Sequence, residues 1–301
     1  ADAPRIELVR IDPLVANACP APAGARTLVV TALGDFGRVA QSVNATDAVE
    51  IGLFPADTRA LEIEVLGAGG VRLGVGRTGT IVLGDLRDGA RVPVFVAPER
   101  SFCPGAPLSR RRAGALSVRA GARVLVLGGV TNVAGTVPAA GADLYDPDRA
   151  QFESLDDVAP AADLRGIRGT TLPDGRALLV LDGRAWLFDH KSRRFTVLDV
   201  GSTSLFAYAQ LVPTMDGRVL VAGGCAVLGQ DRALPCAAAA GAVWFEPRTL
   251  LFSAGNNLAV ARAGGTGFAG ADGRVWLQGG WDASGAHATQ IEKYGASSSV
   301  T

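Results

Sequence analysis

The feature that most constrains this chain is a fourfold repetition in residues 107–301. Four segments carry an apolar strand behind a Gly-containing turn: Gly121-Ala-Arg-Val-Leu-Val-Leu-Gly-Gly129, Asp174-Gly-Arg-Ala-Leu-Leu-Val-Leu-Asp-Gly183, Asp216-Gly-Arg-Val-Leu-Val-Ala-Gly-Gly224 and Asp272-Gly-Arg-Val-Trp-Leu-Gln-Gly-Gly280. An aromatic-acidic strand follows each one: Leu144-Tyr145-Asp146-Pro147, Trp186-Leu187-Phe188-Asp189, Trp244-Phe245-Glu246-Pro247 and Ile291-Glu292-Lys293-Tyr294. Phe152, Phe195 and Phe252 then mark a fourth strand. The turn glycines 121, 175, 217 and 273 are separated by 54, 42 and 56 residues, and the fourth-strand aromatics by 43 and 57. Two independent markers therefore drift together. A period of roughly 40–50 residues with four short strands per unit predicts propeller blades rather than a helical solenoid.

The chemistry of each piece supports that reading. Asp-Gly supplies positive φ at a tight hairpin turn, and the Arg after it faces solvent. An apolar run without alternation is what a strand covered on both faces looks like. The paired glycines remove side chains where backbones crowd, and the aromatics fill the gaps between neighbouring blades.

With these motifs on the page, residues 107–301 resemble bacterial kelch repeats, the propeller class that also forms the central domain of galactose-oxidase-like proteins. The closest units are Arg112-Ala-Gly-Ala with Val124-Leu-Val-Leu-Gly-Gly129 and Tyr145-Asp-Pro147, and the third, ending in Gly223-Gly224 and Phe245-Glu-Pro247. Two departures stand out. The second unit has Leu181-Asp182 in place of the glycine pair, and the third lacks the Arg that opens a blade. The resemblance implies blades at about 107–160, 161–200, 201–255 and 256–301. Kelch propellers commonly have six or seven, so four imply a small ring or a longer protein that has been cut, with open edges able to pair with another chain.

Residues 1–98 lack the repeat. Candidate strands are 5–11, 26–31, 48–53, 60–66, 79–83 and 92–96, separated by Pro, Gly and Asp. Leu61-Glu-Ile-Glu-Val65 alternates apolar and acidic, as a strand with one wet face does. Residues 69–78 superficially echo a phosphate loop, but they lack the Lys and a following helix, and read as a Gly-rich strand and turn. The fold class expected is all-β: an Ig-like β-sandwich at 1–98, a linker at 99–106, and kelch-like β-propeller blades from 107.

Charge and sulfur limit the functions. The 29 basic and 29 acidic side chains cancel, and Arg110, Arg111 and Arg112 are the only three adjacent charges of one sign. A nucleic-acid partner is therefore not expected. No apolar run approaches the ~20 residues of a membrane span. Cys19, Cys103, Cys225 and Cys236 form no C-x-x-C pair, which argues against zinc ribbons and redox dithiols. Two disulfides are expected, Cys225–Cys236 across a Gly/Pro-containing loop and Cys19–Cys103; four buried thiols are the alternative. Ala1-Asp2-Ala3-Pro4 reads as the start of a mature chain whose leader or lipid anchor has been removed. The expected location is extracytoplasmic: periplasm, cell surface or outside the cell.

No catalytic set emerges, and no cofactor is expected. Copper radical oxidases share the kelch-like propeller and need two His and two Tyr around one metal. The candidates here are His190, His287, Tyr145, Tyr208 and Tyr294, with His190 after a strand and His287 in a Gly/Ala loop. Gly-x-Ser-x-Gly is absent. Asp156, Asp157 and Asp163 lack calcium-loop spacing and read as a solvated loop. What remains is loop anatomy. Residues 130–142, 225–240 and 281–288 follow the glycine pairs as long loops, and loops on a rigid scaffold carry recognition. The contact residues expected are Asn132, Val227, Gln230, Asp231, Arg232, Trp281, Asp282 and His287, with Trp281 packing between blades as the alternative. The partner expected is a protein or a glycan. A secreted oxidase or hydrolase, or a structural subunit of a surface assembly, are the competing classes.

Overall fold

A computed structural model describes residues 5–10, 22–100, 106–147, 149, 151–160, 163–227 and 234–295. The fold is all-β. The only helices among the described residues are single 3₁₀ turns at Ile51–Leu53, Ala68–Gly70 and Leu83–Asp85. Two compact units divide the chain: Ala1–Pro107 with Tyr145–Phe152, and Leu108–Leu144 with Glu153–Thr301.

In the first unit, seven strands form one sheet: β1 (Arg5–Arg10), β2 (Thr27–Leu33), β3 (Val39–Asn44), β4 (Val49–Glu50), β5 (Ala60–Leu66), β6 (Arg72–Thr78) and β7 (Ala90–Pro98). Their order is β3-β2-β5-β6-β7-β1-β4. The faces of the expected sandwich are thus portions of one curled, nearly closed sheet. Its edge strands β3 and β4 are consecutive in the chain, and the Gln41 amide on β3 donates to the Glu50 carbonyl on β4 at 3.3 Å. The wrapped interior is the core: Ile6, Val30, Leu61, Ile63, Val92, Val94 and Val96 are all buried. Glu62 and Glu64 point outward from β5, as their alternation predicts. β1 pairs with β7 in parallel, a long-range choice with no local signature.

Two expected strands fall short. The stretch at 48–53 leaves the sheet after Glu50 and closes a 3₁₀ turn, with Phe54 N–H on the Ile51 carbonyl. Residues 79–83 form no strand. They cross a sheet end, where Ile81 and Leu83 donate to the carbonyls of Arg59 and Thr58, and Leu83 is buried. β3, with its mixed V-A-Q-S-V-N sequence, went unread.

The second unit holds the repeats, apart from Tyr145–Phe152 of the first repeat, which group with the first unit. β8 (Leu116–Ala120), β9 (Arg123–Leu127), β10 (Ala142–Asp146) and β11 (Gln151–Ser154) form the first sheet, and β12 (Arg168–Thr171), β13 (Ala177–Leu181), β14 (Arg184–Asp189) and β15 (Arg194–Leu198) the second. The third contains β16 (Gln210–Pro213), β17 (Val219–Ala222), β20 (Ala242–Glu246) and β21 (Leu251–Ala254). A side hairpin of β18 (Cys225–Val227) and β19 (Ala237–Ala238) leaves it. β22 (Thr266–Ala269), β23 (Val275–Gln278) and β24 (Glu292–Tyr294) make the last. Each sheet is a meander. Consecutive sheets meet through their first strands, β8 with β12, β12 with β16 and β16 with β22, giving a propeller-like stack.

Three cores separate the four sheets, and they explain the apolar runs. Leu179 and Leu181 of β13 join Val118, Leu125 and Leu127 on one side. Leu178 and Val180 join Val219 and Val221 on the other. β17 is divided likewise, its Leu220 and Ala222 facing Val212, Val275 and Leu277. A strand covered on both faces has no polar side, so alternation disappears. The aromatics pair across the outer strands, with ring centroids 4.7 Å apart for Phe188–Phe195, 4.8 Å for Phe245–Phe252 and 5.0 Å for Tyr145–Phe152.

Candidate functional site

In an antiparallel meander, the loop after the second strand and the segment that opens the first lie at the same sheet end. The glycine pairs join them. Gly128 and Gly129, Gly223 and Gly224, and Gly279 and Gly280 all have φ between 63° and 107°. A Cβ on Gly129 would come 2.5 Å from the Ala113 carbonyl, and one on Gly280 2.6 Å from that of Ala263. Only glycine allows both the turn and this approach. The next residue then bridges back to the opening segment: Val130 to Ala113, Cys225 to Ala207, and Trp281 to Ala263.

Buried ion pairs lock this end in two sheets. The Arg112 guanidinium, fully buried, sits 3.1 Å from the equally buried Asp143 carboxylate and donates to the carbonyls of Gly128, Ala139 and Ala140. Arg262 repeats the device with Glu292 at 3.4 Å and donates to the carbonyls of Gly279 and Gln290. In the third sheet the matching positions are Phe206 and Val243, so both members of the pair are apolar there.

The predicted contact residues fall on this loop end, in part. Trp281 is half-buried, and its indole lies against the His287 imidazole with centroids 4.2 Å apart. Asp282 is occupied by its own loop. Its Oδ1 accepts from the Ser284 hydroxyl at 2.6 Å and from the Ser284 and Ala286 amides, which holds the carboxyl below its usual range. Asn132 plays the same part after β9, its Oδ1 accepting from the Thr136 and Val137 amides at 3.0 Å. Val227 is exposed on β18. Gln230, Asp231 and Arg232 lie outside the described residues. Cys225 and Cys236 form a disulfide with a Cα separation of 5.7 Å, which ties the side hairpin. Cys19 and Cys103 lie outside the described residues.

The two long loops also meet. Pro235 lies 3.6 Å from the position of a Cβ on Gly285, while Leu234 and Trp281 both border Gly264. Sequence reasoning missed Arg168 here, and considered Tyr208 only as a copper ligand. The Arg168 guanidinium carbon stands 5.1 Å from the Tyr208 ring centroid, and burial pulls the guanidinium below its ordinary value. The available signal was Ala207-Tyr208-Ala209, where the first and last repeats read Ala113-Gly114-Ala115 and Ala263-Gly264-Gly265.

The residues weighed for copper are dispersed. His190 lies in the β14–β15 turn, its ring against Gly121 and Gly175 at the opposite sheet end from His287. Two of the three loop acids are ion-paired: Asp156 with Arg110 at 2.7 Å and Asp163 with Arg165 at 2.6 Å. Of the turn arginines, Arg176, Arg218 and Arg274 fork back onto Asp174, Asp216 and Asp272, and Arg218 also covers the Trp244 ring. A shallow groove on the first unit is lined by Glu62, Arg72, Arg77, Phe95 and Glu99. Arg72 there pairs with both Glu64 and Glu99, and holds the Glu99 carboxyl below its usual range.

The fold and this end of it define an all-β protein with propeller-like blades and a braced set of loops. No family model matches the chain, and no curated protein matches it. No helix among the described residues is long and apolar enough to cross a membrane.

Proposed function

We propose that this chain is an extracytoplasmic binding or scaffold protein of the bacterial kelch-repeat kind, which recognises a protein or a glycan through its blade loops. The observation that carries the reading is the braced loop end. A disulfide-tied hairpin packs beside a loop that presents the Trp281–His287 stack, and both stand on rigid sheets. Pre-set loops lose little entropy on binding, and aromatic faces supply contact area at low ordering cost. The internal bonding of Asn132 and Asp282 shapes these loops and leaves recognition to the aromatic residues. An extracytoplasmic location agrees with the disulfide.

The test is retention of surface proteins and glycans on the immobilised chain. Trp281→Ala should reduce retention at least about tenfold while leaving the melting curve in place, as loss of a central aromatic anchor does. Undiminished retention would refute the loop-end reading. One observation favours a structural subunit as the second reading. Phe268 is 53% exposed in the last sheet and Ile291, just before β24, is 62% exposed; the sheet's Phe268–Trp276 face is opposite its packed Val275–Leu277 face. Concentration-dependent sedimentation of the chain, abolished by Phe268→Asp, would support that alternative.

A further inference from the structure

Four left-handed backbone positions follow one another at the loop end, one before each first strand: Gly114 (φ 66°), Gly166 (φ 79°), Tyr208 (φ 60°) and Gly264 (φ 74°). The last three are linked through the backbone. Tyr208 N–H donates to the Gly166 carbonyl at 2.8 Å, and Gly264 N–H donates to the Tyr208 carbonyl at 2.9 Å. Tyrosine at such a φ costs about 1–2 kcal/mol relative to the glycine used at the other three positions. That cost sets an aromatic ring over Gly166, where an added Cβ would meet Tyr208 Cε2 at 2.6 Å. Beside the ring stands Arg168, which has no carboxylate partner among the described residues.

On the other side of Gly264 comes Trp281, its Cδ1 3.8 Å from the position of a Cβ on that glycine, and then His287. Arg168 with Tyr208 and Trp281 with His287 therefore form a strip of two pairs joined through Gly264, which Leu234 also borders. The nearby polar side chains Asn132 and Asp282 are spent on their own loops. Such a strip offers aromatic contact area, chiefly at Trp281, for C–H-rich surfaces, and in Arg168 a forked donor for a carboxylate.

We propose that the loop end binds an acidic saccharide, with a uronate carboxylate on Arg168, which Tyr208 holds in place, and a sugar ring stacked on Trp281. This rests on the loop-end reading above and names its ligand class. The test is calorimetric titration of the full chain with oligogalacturonate and with its methyl ester, which keeps the rings and removes the charge. The acid should bind at least about tenfold tighter, and Arg168→Gln should erase that preference. Equal affinity for acid and ester in the unaltered chain overturns the proposal, a result that does not depend on how the variant folds. An acidic peptide bound through Arg168 in place of the uronate also overturns it. Trp281→Ala, titrated alongside, separates the two levels. If it removes binding of acid and ester that were bound equally, the loop-end reading stands and the carboxylate assignment falls. If it changes nothing, the loop-end reading itself falls.

Discussion

Gln210 opens β16 and is buried, yet neither its amide nitrogen nor its oxygen has a hydrogen-bond partner. An unsatisfied buried polar group costs about 1–3 kcal/mol. Leu116 holds the same place in the first sheet, each residue pairing with the one before a glycine pair. Gln210→Met keeps the volume and removes the cost. It should raise stability by about 1 kcal/mol in urea denaturation. A loss of stability would mean that the amide is satisfied in solution. At this scale the sequence was only partly legible. Asn132 and Asp282 were recognised as special, but their side chains shape loops. Arg168 went unread, and Tyr208 was read only as a metal-ligand candidate, because their meeting joins two different sheets.

Among the elements, the ion pairs behind the glycine loops vary from sheet to sheet as units. The first sheet has Arg112 with Asp143 and the last has Arg262 with Glu292, while the third has Phe206 with Val243. Removing one buried charge strands the other, whereas replacing both with packed apolar groups is often neutral. Asp143→Val alone should cost about 3–5 kcal/mol, and adding Arg112→Phe should restore at least about 2 kcal/mol of it. Additive losses in the double variant, read by urea denaturation, would show that the third sheet's solution does not transfer. The missing Arg of the third repeat was visible as a departure. Its physical reason needed the packed sheets, since Asp143 and Val243 sit on a different strand from Arg112 and Phe206.

For the whole molecule, acid should be the weak side. Arg110 holds the Asp156 carboxyl below its usual range, the Lys191 amide does so for Asp189, and the Arg274 amide for Asp272. A folded value depressed below the unfolded one adds stability above the unfolded value, and that stability is lost as pH falls through the folded value. The melting temperature should therefore fall below about pH 4, the ordinary carboxylate range. A melting temperature independent of pH down to about 3 would refute these pairings as contributors.

The rhythm of strands and turns, the four repeats, the doubly covered β13 and β17, the cross-strand aromatics and the Cys225–Cys236 bridge all follow from local order along the chain. Such patterns record what each residue's own surroundings must be, because a strand buried on two faces cannot carry polar residues and a hairpin needs its glycine. Tertiary packing alone decided that β1–β7 form one curled sheet with a parallel β1–β7 pair. It alone brought Arg168 to Tyr208 and the hairpin's Pro235 to Gly285. Those contacts join residues dozens of positions apart, and the distance between sheets sets them, a quantity that no short window of sequence encodes.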